Sequence, residues 1–154
     1  MIDHHGIFIS VHITYYFPVI YLFEQSELFS MNVSSILMDD IQYGRMIEDL
    51  EQRKLNEACG ILIGSIREQI AEVSDIVPMA NLLDSPRKFK IAPEELYKVW
   101  RDAEDSGKEV LGAYHTHPES DSYPSQLDIE NMQYSTFIWV IIGRDKQVRA
   151  YTYN

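Results

Sequence analysis

The chain has 154 residues, 45% hydrophobic and 24% charged, with a formal net charge of −11 from 24 acids against 13 Lys and Arg. That length suits one domain, and the acidic balance argues against nucleic acid or an anionic membrane surface as partner, since both need clustered positive charge. Cys59 is the only cysteine; it excludes an intramolecular disulfide, zinc sites of several thiolates and the two-cysteine zinc deaminases, and a cytoplasmic location is expected.

From His4 to Phe23 there is no Asp, Glu, Lys or Arg, and the first basic residue is Arg45. A signal peptide would need a basic start. The stretch GIFISVHITYYFPVIYLF is apolar and aromatic, but His12, Thr14 and Pro18 interrupt it, whereas a membrane helix needs about 20 mainly apolar residues. Ile7, Ile9, Val11 and Ile13 alternate as in a strand. Residues 1–35 are therefore read as an N-terminal extension, an added strand or a loosely held arm. A membrane anchor is the alternative, and Met31 is a second candidate start. Residues 36–154 are read as the domain itself.

Asp39 or Asp40 can cap a helix over 41–56, in which Ile41, Met46, Ile47, Leu50 and Leu55 fall near helical spacing. ACGILIGSI follows as a buried strand, and EQIAEVSDIV as a second strand ending near Pro78. NLLDSPRKFK reads as a loop punctuated by Ser85-Pro86. Pro93 suits the first turn of a helix running to about Ser106, and Gly107 stops it. EVLGAYHTH is a third strand, 118–124 a Pro- and Ser-rich loop, and Ser125 opens a short helix to about Tyr134. TFIWVIIG and QVRAYTY close the chain as two strands, with RDK as the hairpin turn between them. This order indicates one mixed α/β layer structure.

The chemistry concentrates in HTHPESDSYPSQLD, residues 115–128. Side chains two apart on a strand share a face, so His115 and His117 can aim at one spot while Thr116 points away. Pro118 turns the chain outward, and Asp128 falls in the first turn of the following helix, able to fold back toward the histidines. Two imidazoles and one carboxylate leave a tetrahedral zinc one open position, the pattern of a catalytic site. Ser125 and Asp128 also match a capping box, S-x-x-D, and both roles can hold at once. Glu57 is the candidate general base. It lies where the first helix meets the buried strand, and the next seven residues carry no charge. An ordinary last-turn surface glutamate is the alternative, disfavoured by the negative end of the helix dipole.

Glu57, then His115-Thr116-His117-Pro118, six residues, and Ser125-Gln126-Leu127-Asp128 fill every position of one known signature. On these residues the chain resembles the JAMM (MPN-plus) metalloproteases in their short prokaryotic and archaeal form, over roughly residues 40–153. The resemblance implies an α/β (α+β) fold with a single curved mixed β-sheet flanked by helices, similar to the cytidine-deaminase architecture. It implies one Zn2+ per chain held by His115, His117 and Asp128. Glu57 would be the base that activates water and passes the proton to the leaving amine. Ser125 would donate a hydrogen bond to the oxyanion. The expected substrate is the C-terminal tail of a ubiquitin-like or sulfur-carrier protein, cut at an amide or isopeptide bond. A non-catalytic MPN scaffold that only binds partners is the alternative. The sequence departs from the family pattern in three ways. Thr116 stands where serine is more common. The chain stops soon after QVRAYTYN, which implies a short sheet edge. The N-terminal residues have no counterpart, and could cover the groove or pair two copies as a homodimer. A residue of that arm, or of the loop at Asn81, filling the fourth zinc position would give a stored enzyme.

Overall fold

In the computed structural model, which describes residues 7–10 and 33–153, Asp39 starts the first helix. Its carboxylate accepts the Ile41 and Gln42 N–H groups at 2.9 and 3.0 Å, and the Gln42 side chain accepts the Asp39 N–H at 3.0 Å. This reciprocal cap satisfies donors that a helix start otherwise leaves unpaired. The helix, α1 (Asp40–Arg53), ends at Lys54, whose φ of 44° breaks the helical path. It is shorter than the spacing predicts. Met46 and Leu50 are buried as expected, but Ile41 is exposed and Leu55, beyond the helix, is 79% exposed.

The strands are β1 (Ile7–Ser10), β2 (Ser35–Met38), β3 (Cys59–Arg67), β4 (Ile70–Met79), β5 (Glu109–Thr116), β6 (Ile138–Ile142) and β7 (Val148–Tyr151). They form one sheet in the order β1-β2-β4-β3-β5-β6-β7. The pairs β2–β4 and β5–β6 are parallel and the rest antiparallel. Two further helices, α2 (Pro93–Asp105) and α3 (Gln126–Met132), complete the expected mixed sheet flanked by helices. α2 starts at Pro93, and Gly107, at φ 69°, turns the chain away after it. β4 runs through Pro78 and ends at Met79, close to the expected end. Among the described residues β2 pairs with β4 only as far as Glu72, so around Pro78 only β3 flanks β4 and the missing N–H costs no second ladder bond there.

β6 is buried over its whole length, and alternate residues feed opposite faces of the sheet. Ile138, Val140 and Ile142 join Met46 and Leu50 of α1, while Trp139 and Ile141 join Met132 of α3 on the other face. Ala103 of α2 covers Cys59, Ile61, Val110 and Ala113. A strand covered on both sides reads as a continuous apolar run, as TFIWVIIG does. Opposite the middle of β3 the register shifts on both sides, leaving Ser74 of β4 and Leu111 of β5 as the extra residues of two bulges. Among the described residues no helix is long and apolar enough to cross a membrane. The anchor considered for residues 4–23, and the alternation beyond Ser10, lie largely outside the described residues.

Candidate metal centre

β5 is flanked by β3 and β6, and its end carries the histidines, His115 in the strand and His117 just past it. His115 stands opposite Cys59 on one side and Ile141 on the other. His117 follows directly, its N–H donating to Ile142 O at 2.8 Å. His115 is fully buried and His117 nearly so, and their Nε2 atoms are 3.1 Å apart. His117 Nδ1 lies 2.8 Å from the Asp121 carbonyl. A carbonyl only accepts, so Nδ1 carries the hydrogen and Nε2 of the neutral ring presents a lone pair inward.

The loop that supplies this carbonyl is tied down on its far side. Ser120 O accepts from Arg144 N–H at 2.8 Å, and Ser122 O accepts from the Tyr151 hydroxyl at 2.9 Å. Arg149 donates to Ser122 Oγ at 2.5 Å and lies over the Tyr123 ring, 4.3 Å from its centre. The orientation of His117 is therefore set by β7 as well as by its own strand.

Asp128 reaches the histidines from the first turn of α3. Ser125 caps that helix, its Oγ accepting the Asp128 N–H at 3.1 Å while Asp128 Oδ2 accepts the Ser125 N–H at 2.7 Å. The same carboxylate places Oδ1 3.1 Å from His115 Nε2 and Oδ2 3.1 Å from His117 Nε2. Capping and reaching the histidines thus coexist in one side chain. Ser125 itself is exposed at the rim.

Glu57 lies in the link between α1 and β3 and is 2% exposed. An ordinary surface glutamate is thereby ruled out. Its carboxylate, with His115 and His117, offers ligand atoms all within 4.8 Å of one another. Asp128 stands closer still to both imidazoles. Glu57 Oε2 and His115 Nδ1 are buried without a hydrogen-bond partner. The His115 ring instead stacks on Phe89, centroids 4.8 Å apart, with Trp139 edge-on.

The electrostatics separate the two acids. Burial, assisted by the Asp128 charge, pushes Glu57 up from 4.5 to about 7, although His117 opposes the rise. Burial would also raise Asp128, but His115 and His117, which without a metal can take up a proton at the Nε2 atoms facing it, outweigh burial together with the Ser125 N–H and hold this carboxyl well below the usual carboxylate range. Burial lowers His115, which favours the neutral imidazole a metal requires. Burial would lower His117 too, but its bonds to Asp128 and the Asp121 carbonyl prevail and raise it.

The donor set fits a small cation. Tetrahedral zinc with bonds of about 2.0–2.1 Å spaces its ligands roughly 3.3 Å apart. The three contacts among His115 Nε2, His117 Nε2 and the Asp128 oxygens are each 3.1 Å. Converging lone pairs and a carboxylate repel one another unless positive charge sits among them.

Residues 41–154 match the family described as prokaryotic homologs of the JAB domain. The chain belongs to this family. Over 117 residues this JAB domain is 32% identical to a desampylase of Pyrococcus furiosus, covering 76% of this chain and 81% of that protein. It is 35% identical over 75 residues to a CysO-cysteine peptidase of Mycobacterium tuberculosis, about half of either chain (49% and 50%). A solution structure of a protein from Desulfitobacterium hafniense matches with a TM-score of 0.61 at 27% identity, covering 72% of this chain and 77% of that chain.

Sequence reasoning overlooked three residues around the centre. Asn81 marked a loop but its partners were not foreseen, Thr116 was read only as facing away, and Phe89 was not singled out. The signals were slight: a lone Asn before a turn, a hydroxyl between two histidines, an aromatic in a charged loop. Asn81 directs both N–H groups and both lone pairs of its amide to main chain, at Glu57, Lys88, Leu83 and Lys90. It therefore does not fill a metal position.

Proposed function

We propose that this JAB domain is a zinc-dependent peptidase or isopeptidase. Its substrate is the C-terminal tail of a ubiquitin-like or sulfur-carrier protein, cut at an amide or isopeptide bond. The observation that carries this reading is the meeting of His115, His117 and Asp128 at 3.1 Å from one another, with a buried Glu57 alongside. The names of the desampylase and CysO-cysteine peptidase relatives support the substrate class.

His115, His117 and Asp128 would hold the zinc, which supplies Lewis-acid polarisation of a carbonyl and acidifies water near neutral pH. Glu57 takes the proton from the attacking water and delivers it to the departing amine. A carboxyl held at about 7 suits both halves of that transfer, because a general acid–base works best near the operating pH. Ser125 Oγ accepts from Asp128 N–H, and its own O–H can donate to the oxygen that gains negative charge. The walls around His115, Phe89 and Trp139, are aromatic and strengthen each of these charge interactions by excluding water. An extended tail can lie beside the sheet main chain to main chain, and a narrow cleft of that kind selects glycine-rich tails.

The test is incubation of the zinc-loaded protein with the ubiquitin-like and sulfur-carrier proteins of its own host, read by intact mass. Release of a lysine-linked protein or of a single amino acid identifies the bond and the leaving group. No mass loss from any conjugate or carrier, with zinc bound at one per chain, would overturn the reading.

A further inference from the structure

Among the described residues nothing hydrogen-bonds Glu57 Oε2 to aim the carboxylate. Its main chain, by contrast, is held on every side. The Glu57 N–H donates to Ser85 O at 2.8 Å, and Glu57 O accepts from Asn81 Nδ2 at 3.1 Å. The next N–H, of Ala58, donates to Thr116 Oγ1 at 2.8 Å, and Ala58 O accepts the Thr116 N–H at 3.0 Å. Asn81 and Thr116 are both buried. None of these bonds to Glu57, nor the side-chain bond to Ala58, belongs to a strand ladder; they are supplied by one amide, one hydroxyl and one loop carbonyl.

We propose that Asn81 and Thr116 are positioning residues that aim the Glu57 carboxylate at the histidine pair through its main chain. The proposal rests on the reading of Glu57 as general base given above. Thr116 acts from between the two histidines. They face the centre, and the hydroxyl leaves the opposite side of the strand to reach residue 58. The position therefore needs a hydroxyl, and serine or threonine serves equally. Asn81 acts from the loop between β4 and α2. Its two lone pairs fix that loop by accepting the Leu83 and Lys90 N–H groups at 3.0 and 3.1 Å, while its N–H groups hold Glu57 O and Lys88 O. Phe89 of the same loop stacks on His115, so one loop grips both the base and a histidine.

Three substitutions in the zinc-loaded full chain test this. Thr116→Val keeps the shape and removes the acceptor for Ala58 N–H. Thr116→Ser keeps the acceptor. Asn81→Asp keeps the acceptors for the loop and removes the donor to Glu57 O. The substrate is a fusion whose scissile bond follows the glycine-rich tail of a small sulfur-carrier protein. Thr116→Val and Asn81→Asp are expected to lower kcat between about 10- and 100-fold, the penalty for a displaced catalytic group. KM should stay within about 2-fold, zinc per chain should be unchanged, and Thr116→Ser should match the parent. Independently of turnover, amide hydrogen exchange over residues 54–62 should rise in the first two variants and not in Thr116→Ser.

Equal kcat per bound zinc in parent, Thr116→Val and Asn81→Asp overturns the proposal. Loss of zinc from both variants overturns it as well, since the two residues would then hold the whole centre rather than one carboxylate. Should one variant alone lose zinc, the other decides. Glu57→Gln run in parallel separates the two levels. Full activity in that variant removes the base itself, whereas an inactive Glu57→Gln beside active Thr116→Val and Asn81→Asp removes only the positioning role.

Discussion

The start of α3 and the link from α1 to β3 each bring one buried carboxylate to the same histidine pair, in opposite surroundings. Asp128 is met by two imidazoles and the Ser125 N–H, and is held ionised. Glu57 meets no donor at Oε2, sits within the field of Asp128, and keeps its proton up to about 7. On the proposed reading, two acids of similar intrinsic strength divide the work, one as permanent anion and one as proton carrier. Pairs of titratable groups pushed apart by their environments mark such assignments. The difference is produced by the polar groups each carboxylate meets at similar depth rather than by depth itself.

The sharpest way to break this division is Glu57→Gln. Turnover should fall by about 10²–10⁴-fold, the range for loss of a general acid–base group, while zinc stays at about one per chain; turnover and metal analysis on one sample check both. Asp128→Asn should do the reverse, acting first on the metal. Zinc affinity, measured by chelator competition, should fall beyond the roughly 10–100-fold that loss of an outer-shell partner costs. Undiminished occupancy would count against Asp128 as a ligand.

The smallest effect is on stability of the metal-free protein. Glu57 is raised in the folded state, so between 4.5 and about 7 the native chain holds a proton that the unfolded chain has lost. Its contribution is therefore present below 4.5 and disappears as pH rises toward 7. Asp128 is depressed, and its contribution is present above the ordinary carboxylate range and lost only in acid. Denaturant melts of parent and Glu57→Gln across that window should differ by a falling slope found only in the parent. Parallel curves would contradict a buried, proton-holding Glu57.

The two regions also differ in how far the sequence reveals them. His115, His117, Ser125 and Asp128 lie within fourteen positions, and strand and helix periodicity alone bring them to one face. Glu57 was legible as a charge abutting an apolar run, because such placement demands a reason. Asn81 and Thr116 were not, since their bonds cross between β3, β5 and a loop, and a pairing register is needed before they can be drawn. Periodicity also overran α1. Lys54 ends that helix with a positive φ, which a lysine does not advertise as a glycine would. β2 was overlooked because its four residues are too few for alternation to show. The long apolar strands, by contrast, were placed to within about two residues, since burial on both faces leaves little choice of composition.

Tyr114 and His115 sit side by side on β5, one turned to the α1 face with its hydroxyl on Asp49 at 2.8 Å, the other to the metal face. The ring of Tyr114 passes so close to Gly60 that a Cβ there would stand 2.3 Å from it. A slip of β5 by a single residue would carry both imidazoles into the hydrocarbon interior and bring a phenol and an alcohol to the place proposed for the metal. On the proposed reading, metal uptake therefore depends on the register in which β5 is threaded.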